Sequence, residues 1–163
     1  MSLTGSNLIE GFLENNNYLT LDFHDAHEIT QVRDTSLFCA IKKSLSERLN
    51  RSKVFVLIVG EHTDSITKGS CQYCTSYNCW TSSCARGYNI DYRSYIKYEC
   101  EKAYKDYMNG DISKIVVLYK ASAVNRSLCP DILRFCGKHV EMLTWKYNGY
   151  YWDYNKVRDA LLN

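Results

Sequence analysis

Four of the eight cysteines lie close together in a polar stretch of the sequence, at Cys71, Cys74, Cys79 and Cys84. A Cys-x-x-Cys pair followed by two further thiols has the composition of a zinc knuckle, in which four thiolates surround one tetrahedral ion. The spacing departs from the usual pair-plus-pair pattern, so His62 or Cys100 is an alternative for one of the four ligands. The sequence therefore predicts either a structural zinc that orders this loop, or reduced thiols with an adventitious disulfide.

A second cluster of reactive side chains lies at residues 24–28, where two histidines and two acids follow a predicted strand. Ligands of open α/β sheets bind beyond the carboxyl ends of the strands, so His24, Asp25 and His27 are candidates for contacting ribose, phosphate or a metal. Histidine titrates near neutral pH and could also move a proton. A solvated turn with a helix cap is the alternative. Arg33 could hold a diphosphate through its planar guanidinium, or equally pair with a neighbouring carboxylate.

Length and composition indicate one globular domain spanning residues 1–163. Apolar residues make up 45% of the chain and charged residues 23%, and the formal charge of +2 gives no reason to expect a nucleic-acid partner. The longest apolar run, Val54–Val59, is too short to cross a membrane. No basic region followed by an apolar stretch opens the chain, so we expect no signal peptide, a cytoplasmic location and reduced thiols.

Hydrophobic periodicity predicts alternating helices and strands. The predicted helices lie at about 7–14, 37–50, 93–108 and 154–162, and the predicted strands at 18–23, 54–59, 115–119 and 139–143, with a short helical segment at 129–136. This order predicts a flavodoxin-like, three-layer α/β fold with a mostly parallel sheet of four to five strands. The Cys-rich residues 61–91 form a long loop insertion in this scheme. Cys39 and Cys136 are predicted to be core thiols because apolar residues surround them.

Three blocks of sequence resemble the TIR-like family of bacteria, in the branch that includes the TIR subunit of the Thoeris antiphage system. The blocks are QVRDTS at 31–36, SKVFVLIVGEHT at 52–63 and RSYIKYECEKA at 93–103. The third block is similar to the family's aromatic-x-x-x-Glu helix, with Tyr95 where the family usually has Trp and Lys97 where it usually has Arg. The stretch CPDIL at 129–133 resembles the family's late region. The chain departs from the family in having no convincing first strand before residue 18.

The resemblance implies cleavage of the bond between nicotinamide and ribose in NAD, with a signalling nucleotide as product and a role in antiphage defence. Glu99 would be the catalytic carboxylate that stabilises an oxocarbenium-like transition state. Tyr95, Asp25, His27, Arg33 and His24 would contact the substrate. No effector domain is encoded here, so a separate effector protein would respond to the product. No cofactor beyond NAD itself, as substrate, would be required for the chemistry.

The alternative is a non-catalytic TIR-like module that senses a nucleotide or mediates protein interaction on the same scaffold. The missing first strand and the replacement of Trp by Tyr95 favour it. The Tyr-rich tail at residues 145–154 suits an interface, because aromatic rings bury area while their hydroxyls stay hydrated. Self-association is expected under both hypotheses, and a lid over the end of the sheet is the other role for this tail.

Overall fold

A parallel sheet lies at the centre of the protein in the computed structural model, which describes residues 37–163. The elements in chain order are α1 (Phe38–Leu49), β1 (Val54–Val59), β2 (Tyr77–Asn78), β3 (Ser83–Cys84), α2 (Tyr95–Met108), β4 (Lys114–Tyr119), β5 (Lys138–Glu141), β6 (Leu143–Lys146), β7 (Gly149–Trp152) and α3 (Tyr154–Leu162). In the described part the central sheet has three strands in the order β1-β4-β5. The mixed α/β class predicted from the sequence is confirmed.

Strand β4 is the middle of this sheet and is covered on both faces. It pairs in parallel with β1 from Val54↔Lys114 to Val59↔Tyr119, and with β5 from Val116↔Lys138 to Tyr119↔Glu141. Every residue from Ile115 to Tyr119 is at most 1% exposed. An unbroken apolar run is what such a two-faced environment requires, because neither side of the pleat meets water.

Each face of the sheet packs into its own hydrophobic cluster. On one face Ile115, Val117 and Tyr119 pack with Phe55, Leu57, Val59 and residues of α2, including Cys100 and Ala103. On the other face Val116 and Leu118 pack with residues of α3, namely Val157, Ala160 and Leu161. Strand β1 is buried on the first face only, and its alternate residues Val54, Val56 and Ile58 are half-buried. Strand β4 is therefore buried on both faces, and β1 on one.

Helices α1 and α2 pack against each other through a third, smaller cluster. It contains Ile41, Leu45 and Tyr95, with Phe38 against them. Helix α2 begins after Ser94, whose hydroxyl accepts a hydrogen bond from the Lys97 amide at 3.2 Å. Such a cap satisfies one of the amides that lack a partner within the first turn, and it sets where α2 begins.

Residues 61–91, predicted as one long loop, carry short elements of their own. Single turns of 3₁₀-helix occur at Thr63–Ser65 and Cys71–Tyr73, and β2 pairs with β3 in a two-residue antiparallel hairpin. Within this segment only Thr63, Gly69, Ser70 and Cys71 are buried. The segment therefore has almost no hydrophobic core of its own.

The last third of the chain differs from the prediction in two places. Residues 129–136 contain the 3₁₀ turn Asp131–Leu133 rather than a continuous helical segment, because Pro130 at φ −49° and ψ 136° interrupts helical geometry. The aromatic tail folds into the antiparallel hairpin β6–β7, whose turn carries Tyr147 and Asn148 at positive φ. The predicted fourth strand at 18–23 lies outside the described residues.

Candidate functional site

Helix α2 carries the candidate catalytic carboxylate close to the carboxyl edge of the sheet. Strands β1 and β4 are parallel, and α2 lies between them in the chain. The chain therefore leaves β1 at the carboxyl edge of the sheet and runs back along α2 before it enters β4, so α2 begins at that edge. Glu99 lies one helical turn after Tyr95 and is half-buried. Open α/β sheets bind ligands at this edge, and the amino end of a helix favours negative charge. The local fold therefore puts Glu99 near the region in which a nucleotide would be expected.

Tyr95, predicted to contact substrate, is packed into the interior. Its ring is 5% exposed and meets Phe38 edge-on, with the ring centroids 5.7 Å apart. Gly69 lies against the same ring at a φ of +100°, and a Cβ at this position would come within 2.5 Å of the ring. Burial raises the pKa of the Tyr95 hydroxyl, and this hydroxyl has no hydrogen-bond partner in the described part of the chain. In this arrangement Tyr95 joins α1, α2 and the cysteine-rich segment.

A network of charged groups joins α1 to the segment before α2. The Lys42 ammonium is 4% exposed, donates to the backbone carbonyls of Asp91 at 3.1 Å and Arg93 at 2.6 Å, and lies 3.4 Å from the Asp91 carboxylate. Arg93 donates to both carboxylate oxygens of Asp91 at 2.9 and 2.8 Å, and to Glu101 at 2.6 Å. The Arg93 guanidinium also lies over the Tyr98 ring, 4.9 Å from its centroid. The buried Lys42 and the partly exposed Arg93 therefore each have an oppositely charged partner and more than one hydrogen bond.

The pKa values of this network follow from these contacts. Burial by itself raises the pKa of Asp91, but hydrogen bonds from Arg93 and the charge of Lys42 outweigh it, and the pKa falls to about 2. Burial lowers the pKa of Lys42, and the Asp91 charge opposes this change. The hydrogen bond to Asp91 raises the pKa of Arg93. Asp91 and Arg93 are therefore charged at neutral pH, and together with Lys42 they hold α1 against the segment before α2.

Two cavities adjoin this network. The larger, of about 800 Å³, lies between α1, residues 89–93 and α2, and Lys43 and Lys97 add exposed positive charges to its wall. The smaller, of about 200 Å³, lies between residues 63–72 and the first turn of α2. Tyr92 and Lys97 line both cavities, so the two adjoin. Glu99 and Tyr95 are not among the described residues that line either cavity.

The smaller cavity contains an unsatisfied polar group. The Ser70 hydroxyl is buried, its residue being 2% exposed, and makes no hydrogen bond within the described residues. Ser94, the cap of α2, lines the same cavity. Buried hydroxyls nearly always have a partner in folded proteins, so Ser70 is an exception in the described part of the chain.

The other predicted substrate contacts, His24, Asp25, His27 and Arg33, lie outside the described residues.

The four predicted zinc ligands differ in their exposure to solvent. Cys71 is buried, Cys74 and Cys84 are half-buried, and Cys79 is exposed in the connection between β2 and β3. His62 is exposed, and Cys100 lies in the core at 0% exposure. In residues 37–163 no three His, Cys, Asp or Glu side chains already stand in the arrangement of a metal site.

The residues of the charged network were not predicted from the sequence, and Cys39 was wrongly predicted to lie in the core. Lys42 occupies a position on the inner face of α1, three residues after Cys39, where a lysine would ordinarily be exposed. The pair of opposite charges at Asp91 and Arg93, directly before the Ser94 cap, was a signal that could have been noticed. Cys39 is half-buried and faces a small cavity shared with other cysteines instead of the core of the sheet.

Within the described part of the chain, no helix has both the length and the apolar character needed to cross a lipid bilayer. The chain was also compared with known proteins. Protein-family models, curated proteins and solved structures gave no match. The likeness to TIR-like domains therefore remains a prediction from the three sequence blocks, and the function has to be argued from the site.

Proposed function

We propose that this protein is a TIR-like domain that cleaves the nicotinamide–ribose bond of NAD and forms a signalling nucleotide, with Glu99 as the catalytic carboxylate. The observation that carries the proposal is the position of Glu99. It is a half-buried acid one turn into the helix that begins at the carboxyl edge of the parallel sheet.

The two adjoining cavities support binding of a dinucleotide. Lys97 lines both cavities, and Glu99 follows two residues later on α2 outside both of them, so the ribose of a bound dinucleotide would have to extend along α2 to reach it. The amino end of α2, which borders the smaller cavity through Ser94, suits an anionic group such as a diphosphate. Lys42 and Arg93 are already neutralised by Asp91 and Glu101, whereas Lys43 and Lys97 have exposed side chains that could reach a phosphate.

The proposed chemistry needs little from the protein beyond a fixed negative charge. As the C–N bond breaks, its electron pair leaves with nicotinamide, which becomes neutral, and positive charge develops on the ribose. A carboxylate held near that ribose stabilises the charge and accepts hydrogen bonds from the ribose hydroxyls. Water or a hydroxyl of the same nucleotide then attacks the ribose carbon and loses a proton, which gives either a hydrolysed or a cyclised product. Tyr95 would support this reaction by holding α2 in place.

The experiment is mass spectrometry of nucleotides after concentrated protein is mixed with NAD. We expect nicotinamide release by the unmodified protein and a loss of at least about 100-fold in Glu99→Gln, as for removal of one key electrostatic group in other active sites. Glu47→Gln is the matched control, since Glu47 is an exposed glutamate on α1. The control should release nicotinamide at the unmodified rate.

Equal rates in Glu99→Gln and the unmodified protein would exclude Glu99 as the catalytic group. An intact NAD pool with every preparation, including one supplied with cell extract as a source of activator, would reject the enzymatic function. Each variant should first match the far-UV circular dichroism of the unmodified protein, so that loss of folding is separated from loss of chemistry.

The aromatic hairpin favours a second candidate, a non-catalytic TIR-like module that works by self-association. Trp145 is 60% exposed, Tyr147 is 92% exposed and Tyr150 is 57% exposed, on a hairpin whose one charged side chain is Lys146. Large exposed aromatics with little charge are typical of interface centres. Light scattering after gel filtration should show a concentration-dependent dimer that Trp145→Ser abolishes. A monomer at all concentrations would reject this candidate.

A further inference from the structure

We propose that Cys39, Cys71, Cys74 and Cys84 form a structural zinc site that ties the cysteine-rich segment to the first turn of α1. This set differs from the one that the sequence spacing predicts, since Cys39 replaces Cys79. The site is separate from the proposed NAD chemistry, and neither proposal depends on the other.

The four thiols line the same small cavity. Its volume is about 10 Å³, which is about the space of one water-sized particle, and Tyr77 and Tyr88 close it on other sides. Cys39 is the second residue of α1, Cys71 and Cys74 flank a 3₁₀ turn, and Cys84 ends β3. Thiols from three separate elements, spread over residues 39–84, therefore face one space of ionic size.

Backbone hydrogen bonds fix the chain around the cavity. The Cys74 amide donates to the Cys71 carbonyl at 3.0 Å, which closes the Cys-x-x-Cys turn, and the Tyr77 amide donates to the Cys74 carbonyl at 3.0 Å. Tyr77 pairs with Cys84 across the hairpin, which brings the third thiol alongside the turn.

The charges around the cavity suit a metal–thiolate site. Zinc binding would displace the thiol protons and leave a site of net negative charge. Two positive features lie close by to balance that charge, namely the amino end of α1 and Lys42, whose charge interacts with Cys71.

The segment also needs such a site for stability. Residues 61–91 bury few side chains, their hairpin has two residues per strand, and Trp80 at its tip is 93% exposed. A two-stranded hairpin is at best marginally stable in water without further packing. A four-thiolate zinc provides the missing cross-links, as it does in small domains without a sufficient core.

The remaining cysteines are placed differently. Cys100 and Cys129 are 0% exposed in the core of the sheet, and Cys136 packs at the edge of that core. Cys79 is exposed in the β2–β3 connection and does not line the cavity. Cys79 is therefore a matched control, because it lies in the same segment but its replacement should leave zinc binding unchanged.

The first test is the metal content of the full chain, purified without chelator under reducing conditions and equilibrated with zinc. We expect one zinc per chain by elemental mass spectrometry, falling to none in Cys39→Ser and in Cys84→Ser and staying at one in Cys79→Ser. Cobalt in place of zinc should give the intense visible bands of a tetrahedral thiolate site. The absence of stoichiometric zinc, the presence of iron or disulfides in its place, or loss of zinc in Cys79→Ser alone would overturn the proposal.

A second test uses the unmodified protein and so does not depend on the folding of any variant. Thiols are alkylated with and without a zinc chelator, and each site is quantified by peptide mass spectrometry. We expect Cys79 to react at once in both samples, and Cys39, Cys71, Cys74 and Cys84 to react only after the chelator is added. Alkylation of these four at the same rate with and without chelator would refute a zinc site even if the variants proved insoluble.

Discussion

Replacing Asp91 by asparagine should destabilise the protein by about 2 kcal/mol at neutral pH, and by progressively less as the solution becomes acidic. The Asp91 carboxylate receives hydrogen bonds from the amide and guanidinium of Arg93 and faces the buried Lys42 ammonium. Asparagine keeps the shape of the side chain but removes its charge. The substitution therefore isolates the electrostatic contribution of this carboxylate.

The magnitude follows from the pKa. The pKa of Asp91 falls from 3.8 to about 2 on folding, and each pKa unit corresponds to about 1.4 kcal/mol of differential stability. The Asp91 side chain is 21% exposed and that of Arg93 is 40% exposed, so solvent screens part of their interaction. We therefore expect a loss of about 2 kcal/mol, which is less than the full pKa change would give. For a chain of this length that corresponds to a decrease in Tm of about 4–8 °C.

The sign of the pH dependence is set by the lowered pKa. A carboxylate whose pKa is depressed in the folded protein contributes its full stability above about pH 4 and loses it as the pH falls through about 2. The assay is urea unfolding followed by far-UV circular dichroism, at about pH 7 and about pH 3. About half of the difference between Asp91→Asn and the unmodified protein should be gone at the lower pH.

The control is Asp131→Asn, because Asp131 pairs with Arg134 but is 83% exposed. Its effect should stay within about 0.5 kcal/mol, as for other exposed ion pairs. The reasoning is refuted if Asp91→Asn costs less than about 0.5 kcal/mol at neutral pH. It is equally refuted if the cost is unchanged between the two pH values, since the loss would then come from packing and not from charge.

Two further predictions concern backbone conformation and a buried histidine. Gly69→Ala should lower the free energy of unfolding in urea by about 3 kcal/mol, because φ is +100° and the new Cβ would lie 2.5 Å from the Tyr95 ring. Gly87→Ala is the control: φ is +74° but the space is open, so the loss should be about 1 kcal/mol. Burial lowers the pKa of His139 below 6.5, so the stability that the neutral ring contributes should be present above about pH 6.5 and fall as the pH decreases. In His139→Gln the free energy of unfolding should therefore depend less on pH between about pH 5 and 7.

Each of these has a result that contradicts it. Equal costs for the two alanine substitutions would show that the Tyr95 ring can move away from position 69 without penalty. An unchanged pH slope in His139→Gln would show that burial of the His139 ring does not lower its pKa in the folded protein.

The regular elements of the described region were largely predictable from the sequence. The helices α1, α2 and α3 and the strands β1 and β4 begin and end within a few residues of the predicted positions. Their apolar periods are long enough to identify a helix or strand locally, and these periods reflect the burial of one face or two. The hairpin β6–β7 was not predicted, because half of its strand residues are exposed and the burial of the others follows no strict alternation.

The candidate site was predictable only in outline. The sequence indicated Glu99 and a cysteine-rich loop beside the carboxyl edge of a parallel sheet. It gave no sign that Cys39 rather than Cys79 lines the cysteine cavity, because spacing along a chain does not report which thiols a hairpin turns inward. The charged network of Lys42, Asp91 and Arg93 was missed for the same reason, since Lys42 and Asp91 are 49 residues apart in the chain.

By itself, then, the sequence determined the three long helices and the strands β1 and β4 of the described region, since apolar periodicity is a local property of the chain. Tertiary structure alone decided which polar and sulfur-containing side chains meet. The first turn of α1 packs beside residues 71–91, so Cys39 joins the cysteine cavity and Lys42 is buried against Asp91. A buried charge or thiol is stabilised by partners brought to it from distant parts of the chain, and packing of the whole domain selects those partners.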